Sequence, residues 1–214
     1  MQLYSANMSP YAARCRIQIR HKALPVEIVP PPGGMRSAEV LAANPTGRIP
    51  VLMTEAGPLA ESWAIMEYLE ATHPTPAMRP SHALAAARQT ELVRFADQYL
   101  APAMFPLFRA LRGGADDAAV AQALKEQSAQ TALLNQMLPK AATPELPLSL
   151  ADAALVPIVW YGWVLGRHFG GPADFGAWPE VASWWERTQA EPAVSAVVEE
   201  LRASLTAAIP TLSA

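Results

Sequence analysis

The hydrophobic pattern of this chain changes character once. In the first third, short apolar runs with strand spacing alternate with stretches whose apolar residues recur every three to four positions. Gln2 to Tyr4 reads as a short strand, and Pro10 to about Lys22 as a helix with proline at its first position. Val26 to Val29 is a second strand, ended by the turn-forming run Pro30-Pro31-Pro32-Gly33-Gly34. A short helix from Ser37 to Ala43 stops at Asn44-Pro45, because a residue before proline avoids the helical region. Val51 to Thr54 and Leu59-Ala60, separated by Ala56-Gly57-Pro58, form a hairpin, and Ser62 to Thr72 closes the unit as a helix. The order β-α-β-α-β-β-α predicts an α+β sandwich.

Beyond Pro74 the strand signals vanish and Ala/Leu-rich helical patterns take over. Helices are predicted near 82–111, 116–138, 150–168, 178–189 and 193–208, with kinks in the first from Pro102 and Pro106 and a bend in the third at Pro157. Three prolines stiffen the intervening stretch. The predicted organisation is an α+β domain over 1–75, a linker over 76–81 and an all-helical domain over 82–214.

Composition narrows the function classes. The 214 residues are 51% hydrophobic and 16% charged, an apolar balance that hints at buried helix faces or an oligomer interface. A net charge of −3 supplies no basic field for nucleic acid. The single cysteine excludes an internal disulfide and fits a reducing compartment. The N-terminus enters a strand pattern directly, without a basic leader, and no window has the uninterrupted apolar length of a membrane helix. A cytoplasmic globular protein with no membrane contact is expected. His21, His73, His82 and His168 lack ligand spacing, so no metal is expected.

Asn44-Pro45-Thr46-Gly47-Arg48-Ile49-Pro50-Val51-Leu52, followed by Glu61-Ser62-Trp63-Ala64-Ile65, carries the sharpest chemical signal. Proline is tolerated at the mouth of a strand. A cis Ile49-Pro50 bond would leave the backbone N–H and C=O of Ile49 free to pair with an extended ligand. Glu61 and Ser62 open a helix, where free N–H groups and the dipole hold a carboxylate. A carboxylate for an amine, N–H groups for a carboxylate and a strand-like edge together describe a site for glutathione. Arg36 and Arg48 could add positive charge for its glycine carboxylate. A purely structural role also fits: Ser62 caps the helix and Glu61 complements its dipole.

With these motifs the chain resembles the cytosolic glutathione S-transferases, whose glutathione site in a thioredoxin-like domain is marked by N-P-x-G-x-[IV]-P-V-L and E-S. Three further stretches agree with that family. Ser9-Pro10-Tyr11-Ala12-Ala13-Arg14-Cys15-Arg16-Ile17 resembles the first helix of its serine- and cysteine-type classes (zeta, theta and omega). Leu148-Ser149-Leu150-Ala151-Asp152-Ala153-Ala154 resembles the capping motif of its buried helix. Trp178-Pro179-Glu180-Val181-Ala182-Ser183-Trp184-Trp185 with Glu191-Pro192-Ala193-Val194 resembles its closing segment. The resemblance implies a thioredoxin-like domain followed by a helical one, glutathione as co-substrate, a homodimer and a detoxifying transferase. Arg48, Ile49, Pro50, Glu61 and Ser62 would bind glutathione, and Ser9 would both touch it and stabilise its thiolate for attack on a small apolar electrophile. The same thiolate would serve a glutathione-dependent isomerase or lyase, and the fold also suits a binding or scaffold protein without turnover. Pro10 and Tyr11 stand where the zeta isomerases carry a second serine and a cysteine, which weighs against maleylacetoacetate isomerisation.

Glutathione's thiol, like free cysteine, is mostly protonated at neutral pH and needs a donor and a positive field. Ser9 at the start of a helix offers both, although Ser-Pro is equally an ordinary helix start. Tyr4, Ser5 and Asn7 are rivals for that contact. Cys15, inside the helix, reads as a small buried hydrophobe. Arg14 and Arg16 fit either substrate orientation or salt bridges. The electrophile pocket is expected between the domains, against Tyr11, Tyr99, Met104, Phe105, Phe108, Trp160 and Trp163, although any one of them taken singly fits the helical core better. Arg109 and Arg112 more simply face water. Ser149-Leu150-Ala151-Asp152 is a capping box assigned to folding.

Overall fold

The computed structural model describes residues 1–210 and 212. Its N-terminal part is a four-stranded sheet in the order β2-β1-β3-β4, built from β1 (Gln2–Tyr4), β2 (Glu27–Val29), β3 (Val51–Thr54) and β4 (Gly57–Ala60). β1 and β2 run parallel with Leu3 opposite Ile28, while Leu52 of β3 lies antiparallel to Leu3 on one side and to Leu59 on the other. Parallel neighbours need a crossover, and α1 (Pro10–His21) supplies it; α2 (Ala38–Ala43) and α3 (Ser62–Thr72) complete a thioredoxin-like unit. The hairpin is tighter than its spacing predicts, because β4 absorbs Gly57 and Pro58 and leaves Glu55-Ala56 as the turn. β4 is an edge strand, where a proline's missing N–H removes no bond the sheet needs.

The rest of the described chain is helical: α4 (Ala83–Phe95), α5 (Ala101–Ala110), α6 (Asp117–Met137), α7 (Leu150–His168), α8 (Pro179–Gln189) and α9 (Pro192–Ala208). The single kinked helix expected over 82–111 is two helices joined by a π turn over Ala96–Leu100. Pro102 has no N–H for the carbonyl one turn before it, and the ladder widens just ahead of it so that the Ala101 N–H reaches the Ala96 carbonyl five residues back, whereas the kink expected at Pro106 does not break α5. Pro157, by contrast, is absorbed into an unbroken α7. Every residue from Leu150 to Gly162 is buried, so α7 is apolar all round and runs through the centre of the helical core.

α1 joins the two halves. It is buried from Ala12 to Ile19 and packs on α7 and α9. The stretch predicted as a linker is pinned rather than loose: the buried Met78 donates its N–H to Glu70 Oε1 at 2.9 Å and accepts from the Leu150 N–H at 2.9 Å. Glu70 in turn pairs with the buried Lys22 at 2.8 Å, so one carboxylate ties α1, α3 and the connection to α7.

Candidate active site

The turn ahead of β3 is tied by one buried side chain. Asn44 Oδ1 accepts from the N–H of Thr46 at 3.1 Å and its hydroxyl at 3.0 Å, and Nδ2 donates to the Arg48 carbonyl at 2.9 Å. Gly47 sits at φ +66°, and a Cβ there would come within 3.1 Å of the side chains of Arg36 and Leu41. Both demands explain why Asn and Gly stand at these positions. The Ile49-Pro50 bond is cis. The Ile49 side chain is buried, while its backbone N–H and C=O bond no group among the described residues. The side chains of Arg36 and Arg48 are exposed.

Glu61 holds the cap position of α3 with φ +68° and ψ 115°, an outlying conformation for a residue with a side chain, and makes no capping bond. Its side chain is exposed, and the first-turn N–H groups of α3 gain no side-chain acceptor from it. Ser62, next in the chain, is buried and accepts from Arg14 Nη1 at 3.5 Å. Arg14 is completely buried, pairs with Asp97 at 2.8 Å, and stacks its guanidinium 4.9 Å from the ring centre of Tyr11. A buried Arg14–Asp97 ion pair therefore lies beneath the N-terminus of α3, whose open N–H groups and dipole favour an anion. Burial, partly countered by Arg14, pushes the Tyr11 hydroxyl above its ordinary pKa, so it stays a proton donor.

Ser9 caps α1: its Oγ accepts from the Ala12 N–H at 3.2 Å, and its own N–H donates to the Ala6 carbonyl at 3.0 Å. Accepting that bond leaves the hydroxyl proton free to donate elsewhere, so capping does not use up the group. Its rivals are placed differently. Ser5 is buried and engaged by Arg16, Tyr4 lies in β1 between Val29 and Val51, and the Asn7 side chain points into solvent while its carbonyl is bonded by Arg16. Cys15 is fully buried 3.6 Å from the Ser62 carbonyl, and burial pushes its thiol up to about 12, which keeps it neutral and unreactive.

The expected electrophile wall is only partly assembled. Tyr11 and Phe108 are half-buried and Phe105 is exposed; the Phe108 ring centre lies 5.0 Å from that of Tyr161, whose hydroxyl bonds the Met8 carbonyl next to Ser9. Met104 and Trp160 are 1% and 0% exposed and belong to the helical core, because both point inward from helices packed on several sides. Tyr99 stacks on Phe95 and lines, with Pro102, Arg109, Gln122 and Glu126, an outer groove between α5 and α6. Trp163 joins Phe175 and Trp185 in a separate aromatic cluster. The sequence reading did not find Asp97, Tyr161 or Glu200. Asp97 left no distinctive signal, since it stands beside Gln98 in a stretch that also carries Glu91 and Arg94. Among the described residues no group of His, Cys, Asp and Glu could hold a metal ion, and no helix is long and apolar enough to cross a membrane.

Residues 3–77 match the family "Glutathione S-transferase, N-terminal domain". Glutathione S-transferase 3 of Zea mays is 30% identical over 214 aligned residues, covering 92% of this chain and 93% of that protein. A maleylacetoacetate isomerase of Pseudomonas aeruginosa is 38% identical over 95 residues, 42% of this chain and 45% of that protein. A solved structure of glutathione S-transferase I bound with lactoylglutathione superposes with a TM-score of 0.76 at 26% identity, covering 93% of this chain and 98% of that one.

Proposed function

This chain belongs to the glutathione S-transferase family, and from that premise we propose that it conjugates the thiolate of glutathione to small apolar electrophiles. The observation that carries this reading is a pair of unspent backbone surfaces at one end of the β3–β4 pair, where Val51 lies opposite Ala60: the N–H and C=O of Ile49, unpaired among the described residues, and the N-terminus of α3, which has no side-chain cap bond among them. In this reading Ile49, set by the turn at Pro50, pairs with the peptide part of glutathione. Glu61 takes its amine, Ser62 and the α3 N–H groups its γ-glutamyl carboxylate, and Arg48 the carboxylate at its other end. Ser9 donates its hydroxyl proton to the sulfur, aided by the N-terminal dipole of α1. The thiol proton leaves to solvent and the sulfur lone pair forms a C–S bond at the electrophilic carbon. The electron pair displaced there departs with a leaving group or takes up a proton from water. No covalent enzyme intermediate forms. Tyr11, Phe105 and Phe108 supply the apolar wall on which the electrophile rests.

The reading extends to a cytoplasmic, detoxifying homodimer, with the chain divided into 1–75, a linker over 76–81, and 82–214. Calorimetry with reduced glutathione, alongside conjugation of a chlorodinitrobenzene, tests the function. Wild type should bind and conjugate; Ser9→Ala should still bind but turn over slowly. Failure of wild type to bind glutathione would sink the reading. The match to the Pseudomonas isomerase supports a second reading, in which the same thiolate adds to a cis double bond and is later expelled. Isomerisation of a maleyl substrate without net consumption of glutathione would favour it.

A further inference from the structure

Ser5, Ala6, Asn7 and Met8 lie between β1 and the cap residue Ser9, and each is held by a side chain from outside the loop. Arg16 of α1, 1% exposed, donates through Nη1 to the Ser5 hydroxyl at 2.7 Å and to the Ala6 carbonyl at 3.1 Å, and through Nη2 to the Asn7 carbonyl at 3.1 Å. Its Nε donates to Glu200 Oε2 of α9 at 3.1 Å. Tyr161 of α7 donates its hydroxyl to the Met8 carbonyl at 2.8 Å. The Ala6 carbonyl also accepts from the Ser9 N–H. Arg20 bonds the other oxygen of Glu200 and makes no hydrogen bond to the loop.

We infer that Arg16 and Tyr161 are positioning residues for Ser9, and that Glu200 fixes Arg16 in place, so that the last described helix governs how well the glutathione thiolate is stabilised. This rests on the transferase reading above. The guanidinium is a rigid planar fork, so one bond at Nε sets the direction of the donors at Nη1 and Nη2. Burial disfavours its charge, and Glu200 is the strongest influence opposing that cost. Without the carboxylate, a buried cation is left to seek other acceptors and the three loop contacts lose their frame. Burial raises the Tyr161 phenol well above its ordinary pKa, so it remains a donor. A hydroxyl that must meet a sulfur at hydrogen-bond distance tolerates little displacement, and a shift of about 1 Å in a reacting geometry can cost on the order of 100-fold in rate.

The test compares Glu200→Gln and Tyr161→Phe with Arg20→Gln, which removes a partner of Glu200 without touching the loop. Hydrogen–deuterium exchange of amides 6–9 is measured without ligand. Glutathione affinity, kcat and the apparent thiol pKa of bound glutathione, followed by thiolate absorbance against pH, are measured with it. Glu200→Gln and Tyr161→Phe should speed loop exchange, raise the thiol pKa and lower kcat about tenfold, with glutathione affinity changed less than about twofold. Arg20→Gln should leave all four near wild type. Equal effects from Arg20→Gln, or loop exchange unaltered in Glu200→Gln, overturn the proposal. A wild type that does not bind glutathione overturns the transferase reading instead, and the exchange comparison still decides whether the clamp holds the loop.

Discussion

The starts of α3 and α7 both carry an acid and a serine, and they are built in opposite ways. At α7 the two residues stand three apart, so each reaches the other's backbone. Ser149 Oγ accepts from the Asp152 N–H at 3.1 Å, and Asp152 Oδ2 accepts from the Ser149 N–H at 2.9 Å and its hydroxyl at 2.8 Å. The other oxygen of Asp152 takes the Trp184 indole N–H at 2.7 Å and Arg187 at 2.9 Å. Nothing there is left for a ligand. At α3 the acid and serine are adjacent, too close to form a box. Glu61 makes no capping bond, stands exposed at φ +68°, and leaves the first turn open. The same residue types thus give a closed capping box or an open first turn according to spacing, and the open turn is the one proposed above to bind glutathione. Binding capacity at a helix start is capping capacity not used internally.

The sharpest way to break the comparison is to remove each acid. Asp152→Ala strips a nearly buried carboxylate from four donors and leaves the Trp184 and Ser149 N–H groups unmatched. Unfolding free energy should fall by about 3–5 kcal/mol, read from denaturant melts. Glu61→Gly should act in the opposite sense on stability. It relaxes an outlying backbone worth on the order of 1 kcal/mol, so the midpoint should hold or rise. Glutathione affinity should nevertheless drop by about tenfold or more, the usual worth of a charge-assisted hydrogen bond. A Glu61→Gly protein that both unfolds more easily and binds normally would reverse the assignment of the two helix starts.

How much of this was legible in the sequence follows from the range of the interactions involved. The turn Asn44–Pro50, the caps at Ser9 and Ser149 and the strand–helix order are encoded within a few residues, and they read correctly. The break near Pro102 was expected, but its form, a π turn before the proline rather than a simple kink, depends on how the carbonyls find new donors. The pocket wall was the least legible part. Met104 and Trp160 carry the same apolar periodicity as Phe105 and Phe108, and only three-dimensional packing decides which face turns inward. Arg14 and Arg16 could be named but not assigned, because their partners Asp97 and Glu200 lie 83 and 184 residues away.

Ser9 stands between the two extremes, since its hydroxyl both caps α1 and retains a proton to give away. Ser9→Ala and Ser9→Gly separate the two duties. Both remove the hydroxyl, so both should depress kcat to a similar extent while glutathione affinity stays near wild type. Their stabilities should differ: alanine at a cap costs about 1 kcal/mol, glycine only a few tenths, because glycine leaves the N-terminal amides accessible to water. The measurement is a pair of denaturation curves set beside a pair of turnover rates. Rates that fall together while the stabilities diverge assign the loss of turnover to the missing proton donor. Rates that track stability would return Ser9 to the class of Ser149, a residue used up in starting its own helix.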